Sequence, residues 1–189
     1  MDNRSKLKQA ALKLFVEKGF QGTSTASISK EASVATGTLF NYFATKDELL
    51  DQLYIESRTE MADWVLPGIT DEIVVDEEEQ IYLLWEGCIE WCLANPLNFK
   101  FIEIYSRSSF VSRVARQEAD SSFAALVNVT KSAIEEVNAS QLPTGLIYQV
   151  FFAQMSAVVT YLLDKSELSS AEKREIIESG FQFFWSAIQ

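Results

Sequence analysis

Thr36, Gly37, Thr38, Asn41 and Tyr42 lie within seven residues and carry side chains suited to reading a polar edge. An asparagine amide can pair with both hydrogen-bonding groups of an adenine edge, and a threonine offers a hydroxyl and a methyl that fits thymine. Tyr42 and Thr25 carry hydroxyls suited to phosphate oxygens, and Gly37 has no side chain to keep another backbone away. Lys46 precedes Asp47 at the start of a further helical stretch, where an ammonium and free backbone N–H groups together favour an anion. The chemistry on offer is contact with the edges and backbone of a nucleic-acid duplex.

Such side chains need a scaffold, and the preceding residues supply one. Leu7, Ala10, Ala11, Leu14 and Phe15 recur at the spacing of one buried helical face, predicting a helix over residues 4–18. Gly19 is placed to stop it in a left-handed conformation, with Phe20 folding back on Phe15 as in a Schellman motif. Ser24 is a good N-cap for a second helix over 25–32, with Ile28 and Ala32 inward. Ser33-Val34 makes the turn, and a third helix over 36–43 puts Leu39 and Phe43 on the core side. That leaves Thr36, Thr38, Asn41 and Tyr42 outward, the layout of a helix-turn-helix over about residues 24–43. A three-helix bundle that binds nothing fits the same pattern.

Charge is divided unevenly. Residues 1–46 carry seven basic and three acidic side chains, while the rest of the chain carries nine basic and 24 acidic, so a net −11 conceals a positive front end. That split suits a head that meets a polyanion and a body that stays solvated. The first residues, MDNRSKLKQ, contain no apolar signal core, and the most apolar run, 146–163, is interrupted by Gln149, Gln154, Ser156 and Thr160. The expectation is a cytoplasmic protein with no membrane partner. With no histidine and only two cysteines, Cys88 and Cys92, neither a zinc site nor a disulfide framework is expected. Those two read as small apolar residues, with a redox pair as the lesser alternative.

Residues 47–189 look helical throughout. Residues 47–68 form a connecting helix, with Leu49, Leu50, Leu53 and Tyr54 inward and Pro67-Gly68 at its end. An acid-rich connection follows over 69–78, and Asp76 to Glu79 favour the next helix's dipole without needing a metal. Further helices are expected to about Asn95, over 96–105, over 111–137 with Val114 among its apolar positions, over 143–163 and over 171–188. The fold class is all-α, with about nine helices: a helix-turn-helix DNA-binding head over 1–46, the connecting helix, and a helical body over 69–189 that is expected to dimerise. The last two helices look apolar on nearly every side, so a second copy is expected to cover them, with Phe181 and Phe184 in the seam. Two paired heads about 34–36 Å apart would meet successive major grooves.

The spaced residues Leu14-Phe15, Gly19-Phe20, Thr23-Ser24, Ile28, Ala32, Val34, Gly37, Leu39-Phe40, Tyr42-Phe43, Lys46 and Leu49 resemble the tetracycline-repressor (TetR) family over about residues 5–55. The resemblance implies a homodimeric repressor whose C-terminal helices bind a small ligand and release a palindromic operator in double-stranded DNA. Carried over by position, Thr25, Thr36, Gly37, Phe40, Asn41, Tyr42 and Lys46 fall where relatives touch DNA. Three residues depart from the pattern. Ser33 stands where glycine is usual, at a cost of roughly 1 kcal/mol for a left-handed non-glycine residue. Ala35 replaces a capping hydroxyl, and Phe40 replaces a common tyrosine. The resemblance also implies a ligand cavity, expected among Trp85, Cys88, Cys92, Ile102, Tyr105, Phe123, Phe152 and Met155. Few charges project there, so the effector is expected to be small and mostly apolar or aromatic.

The leading function is thus a ligand-responsive transcriptional regulator, with a dimeric DNA-bound adaptor that recruits another protein as the alternative. An enzyme is not expected, since no histidine, glycine-rich phosphate loop or nucleophile constellation is present, and no cofactor is implied.

Overall fold

The computed structural model describes residues 1–69, 76–137, 142–165 and 167–189. Among these the fold is all-helical: α1 (Asn3–Lys18), α2 (Thr25–Glu31), α3 (Thr36–Tyr42), α4 (Lys46–Val65), a 3-10 turn (Leu66–Ile69), α5 (Glu77–Ala94), α6 (Pro96–Tyr105), α7 (Arg113–Val137), α8 (Thr144–Asp164) and α9 (Ser170–Ile188). The nine α-helices agree with the fold class expected. Of the acid-rich connection over 69–78, residues 70–75 lie outside the described residues.

The helices pack as two compact units, one made of residues 1–60 and 97–122 and the other of 61–96 and 123–189. Residues 97–122, which the sequence pattern groups with the body, therefore pack with the first helices.

In the first unit, Leu7, Ala11, Leu14 and Phe15 of α1 share a core with Ile28, Leu39, Phe43, Leu49 and Leu50. The Asp2 carboxylate opens α1 by accepting from the Ser5 N–H at 2.7 Å. Gly19 closes it with φ 70° and ψ 171°. The expected packing of Phe20 on Phe15 forms, with ring centroids 5.8 Å apart. The Schellman geometry does not, because that ψ lies in a region open essentially to glycine alone and not in the left-handed helical well. The buried Thr23 hydroxyl lies 2.8 Å from the Gly19 carbonyl and 3.1 Å from that of Leu14, so it satisfies the end of α1.

Polar links hold α4 to α6 and α7. The Ser112 N–H donates to Asp51 at 2.9 Å, Asn98 donates to the Ser57 hydroxyl at 3.0 Å, and Arg58 meets Asp120 at 3.4 Å. Val111, Ala115 and Ala119 face the core at four-residue spacing. That register turns Val114 outward, 70% exposed, which corrects its expected apolar role.

The second unit is built on α5, α8 and α9. Trp85, Cys88 and Ile89 of α5, Phe151, Met155 and Val159 of α8 and Ile177, Phe181 and Phe184 of α9 are all buried, and the three helices pack on one another. The Trp85 indole N–H donates to the Ile177 carbonyl at 3.0 Å, and the Gln154 amide donates to that of Gly180 at 2.7 Å. A Cβ on Gly180 would stand 3.0 Å from Val158 and 3.1 Å from Trp85, so a missing side chain lets the helices approach closely. Asp76 caps α5 by accepting from the Glu79 N–H at 2.8 Å, as its place before a run of acids suggests.

Two expectations about the last helices are corrected. Phe181 and Phe184 are not seam residues: they are buried in the single chain at 1% and 2% exposure, while Phe183 between them is 75% exposed. A one-residue step on a helix turns a side chain by about 100°, so three aromatics in four positions cannot share a face. The second is the reading of 146–163 as too interrupted to span a membrane: α8 is long and apolar enough to do so by length and composition alone. Here Ile147, Phe151, Met155, Val159 and Leu162 face the unit's own core, and the Gln154 amide has a partner inside it. Its apolarity is that of a helix covered on one face and carrying a second uncharged stripe, Leu146, Val150, Ala153, Ala157 and Tyr161, on the other.

Candidate nucleic-acid interface

The helix-turn-helix is fixed by local chemistry before it presents anything. Ser24 and Ser27 form a capping box at the start of α2, each side chain accepting from the other's backbone N–H, at 3.1 and 3.0 Å. Seven residues make a marginal helix, so burial of Ile28 must hold it. At the turn Ser33 adopts φ 53°, the left-handed conformation expected of it, and the Val34 N–H donates to the Ser29 carbonyl at 2.9 Å. Ala35 gives α3 no side-chain cap.

Leu39 and Phe43 are fully buried beneath α3. That burial fixes which side chains face away: Thr36, Gly37, Phe40, Asn41 and Tyr42 are exposed, with Phe40 at 50%, whereas Thr38 and Thr25 are half-buried. Gly37 and Asn41, four residues apart, lie on one face opposite Leu39 and Phe43. Apart from its chain neighbours and the backbone of its own helix, no heavy atom lies within 4 Å of where a Gly37 side chain would begin. Nothing in the protein's own packing near Gly37 requires a glycine, so the space it leaves is open to something outside.

Lys46 takes a different position from the one expected. Its ammonium donates to the carbonyls of Phe20 at 2.7 Å and Thr23 at 2.8 Å, and sits 4.0 Å from the centroid of the Phe20 ring. Two of its three donors thus hold the α1–α2 connection, and only the third is left for a phosphate. The expected anion site at the start of α4 is also partly filled from within. The Thr45 hydroxyl accepts from the Glu48 N–H at 3.0 Å, and the Glu48 carboxylate accepts from the Ala44 N–H at 2.7 Å. The spacing Thr45-x-x-Glu48 is a capping signature in the sequence that gave warning of this.

The positive excess is thinner than the count of basic residues implies. Lys8 pairs with Glu56 at 2.7 Å, Arg4 meets the same carboxylate at 3.6 Å, and Lys13 pairs with Glu31 at 2.6 Å. The Lys13 ammonium beside Glu31 holds that carboxyl below its ordinary range. Lys6, Lys18 and Lys30 remain exposed without a salt bridge among the described residues, and no local motif had marked them.

The residues expected around a ligand divide between the units. Ile102 and Tyr105 belong to the first, where the Tyr105 hydroxyl donates to the Phe15 carbonyl at 3.1 Å and its ring packs on Phe15 and Phe101. Tyr105 is core of the reading unit. Trp85, Cys88, Cys92, Phe123, Phe152 and Met155 belong to the second. There the Phe123 ring meets Phe152 at 6.2 Å, Phe152 meets Phe151 at 5.1 Å, and Phe151 meets Trp85 at 5.5 Å, a continuous run of edge-on rings. Cys88 and Cys92 are buried, and burial pushes the Cys88 thiol well above its ordinary range. A thiol kept neutral is a poor nucleophile, which disfavours the redox alternative.

Residues 7–53 match the sequence profile of the bacterial regulatory proteins of the tetR family. The regulator HbdR of Aromatoleum sp. (strain CIB) is 29% identical over 87 residues, covering 46% of this chain and 38% of HbdR. The chain thus spans well under two thirds of that curated relative. A crystal structure described as a tetR family transcription regulator from Shewanella sp. PV-4 is 31% identical with a TM-score of 0.81, covering 100% of this chain and 98% of that one. FadR of Bacillus subtilis, solved with stearoyl-CoA, shares the fold at 19% identity and a TM-score of 0.74, covering 98% and 99%. These relatives are transcription regulators rather than enzymes. A helix-turn-helix with an open outer face, followed by a helical remainder that matches such a regulator along almost its whole length, places this chain in the TetR family of DNA-binding transcription regulators.

Proposed function

We propose that the protein is a homodimeric repressor that binds a palindromic operator through α3 and leaves it when a small, mostly apolar effector enters the helical body. The observation that carries the DNA half is the outer face of α3, with open space beside Gly37 and an exposed Asn41 one turn on. In a major groove, Gly37 lets the helix backbone come close while Asn41 pairs with adenine and the threonines and Phe40 lie against neighbouring edges. Tyr42, Thr25 and the remaining donor of Lys46 are suited to phosphates, which position without specifying. Selection of bound duplexes from random DNA tests this directly. A pool that Asn41→Ala enriches identically to wild type removes Asn41 from the reading set, whereas relaxed preference at one position, costing about 1–3 kcal/mol, supports it.

Dimerisation is supported by what the second unit leaves uncovered. The α8 stripe from Leu146 to Tyr161 and Phe183 of α9 are exposed apolar surface at three- to four-residue spacing, the pattern of a helix awaiting a partner helix. An isologous pairing of these faces uses the same patch on both copies. The effector would lie along the ring series from Phe123 to Trp85, forcing edge-on rings apart and so favouring a different body shape. The acyl chain held by the related FadR makes long-chain acyl compounds one class to screen by thermal shift, with the cytoplasm as the expected compartment. The adaptor alternative needs a broad apolar patch outside the seam.

A further inference from the structure

The connection between α1 and α2, residues 19–23, sets where the helix-turn-helix begins, and its central side chain is Phe20. That half-buried ring has the Lys46 ammonium 4.0 Å from its centroid and is stacked with Phe110 at 4.8 Å and 30°. Lys46 also grips the backbone on both sides of the connection, through the Phe20 and Thr23 carbonyls. Phe110 comes from the far side of the sequence, between α6 and α7, yet packs in the same unit.

Its own segment is firmly held. Arg116 donates to the carbonyls of Ser106 and Ser108, the Ser108 N–H donates to the Tyr105 carbonyl at 3.1 Å, and the Ser112 N–H donates to Asp51 at 2.9 Å. Phe110 itself is 36% exposed, so it does not fill the core. A large ring left at the surface of a pinned turn, stacked on one loop side chain, does little for burial and much for where that loop lies. A cation near the ring and a second ring stacked on it both restrict Phe20 to one pose.

We propose that Phe110, though outside the reading helices, is a positioning residue for DNA binding: it stacks on Phe20 and keeps that ring under the Lys46 ammonium, fixing the entry to α2. The proposal rests on the DNA-reading function above. Phe110 acts through Phe20 and touches no DNA, so its loss changes affinity through pose.

The test uses the full chain and a duplex enriched by wild type from a random pool. Phe110→Ala is expected to weaken binding about five- to tenfold, the scale of one lost aromatic pair, with little change in melting temperature. Phe110→Tyr, which keeps the stack, restores binding, and Phe110→Leu, which keeps only bulk, does not. Amide exchange at residues 20–23 speeds up in the alanine and leucine variants alone, a readout that holds even if alanine lowers the melting point. Combined with Lys46→Met, the loss from Phe110→Ala is less than additive, because both changes release the same ring. Equal binding by Phe110→Ala, full rescue by leucine, unchanged exchange at 20–23, or strictly additive losses would each overturn the proposal. Wild type that enriches no duplex sinks the DNA-reading function and the proposal with it, a result distinct from wild type and Phe110→Ala binding equally well.

Discussion

Gly37 occupies the outer face of α3, where an added methyl meets no protein atom within 4 Å apart from its chain neighbours and its own helix backbone. Glycine near a helix start costs the fold, so Gly37→Ala should leave stability unchanged or raise it by up to about 1 kcal/mol. The same methyl is expected to weaken DNA binding, because it stands where a groove must come close. Melting curves and duplex titrations read the two effects separately, and unaltered affinity would show that DNA does not approach this point. A different residue sets an alkaline limit. Burial, with the Glu86 carboxylate beside it, pushes Tyr82 up to about 12 from an ordinary value of 10.0. Above pH 10 the unfolded chain gives up this proton while the folded chain keeps it, so stability is complete below pH 10 and falls as pH rises toward about 12. Tyr105, raised by burial in its own unit, acts in the same direction. Urea titrations from pH 9 upward should show a shallower decline in Tyr82→Phe than in wild type; parallel declines would refute the assignment.

Gly19 and Gly37 make a useful pair at the scale of elements, since neither has an atom within 4 Å of where a side chain would begin, chain neighbours and Gly37's own helix backbone aside. They differ only in backbone. Gly19, at φ 70° and ψ 171°, ends α1 in a conformation that other residues rarely adopt, so Gly19→Ala should cost about 1–3 kcal/mol. An alanine at Gly19 as stable as wild type, by chemical denaturation, would mean that α1 can end another way. The stop itself was legible in the residue type; its ψ, and hence the kind of stop, was not. Ser33 was legible only through the TetR resemblance, which implied a left-handed residue where glycine is usual, and it takes φ 53°. Lys46 was not legible. Its carbonyl partners lie 26 and 23 residues earlier, and only the return of α4 toward the α1–α2 connection brings them within reach.

For the whole molecule, the neighbouring residues Phe183 and Phe184 separate assembly from folding. Phe183→Glu puts a charge on exposed surface and should give a folded monomer with lost operator binding. Phe184→Glu puts the charge into a core position 2% exposed and should unfold the second unit, with a loss of at least about 3–5 kcal/mol by analogy with core Phe→Ala changes. Sedimentation with circular dichroism distinguishes the two, and a Phe183→Glu protein that remains an intact dimer would exclude that face from the seam. Residue periodicity foretold that α8 and α9 are richly apolar. Which of three adjacent aromatics turns outward depends on helix phase, and phase is set by packing against α5.

The sequence by itself determined the helix-turn-helix, the outward placing of Thr36, Asn41 and Tyr42 on α3, though not that of the half-buried Thr38, and the all-helical class, because those follow from caps, turns and 3.6-residue spacing within short windows. Tertiary structure alone decided that Lys46 closes a loop, that residues 97–122 and Tyr105 belong with the reading unit, and that Phe183 is the aromatic facing out. Each of these depends on contacts between residues far apart in the chain, or on the rotation of a whole helix about its axis, and local side-chain chemistry does not encode either.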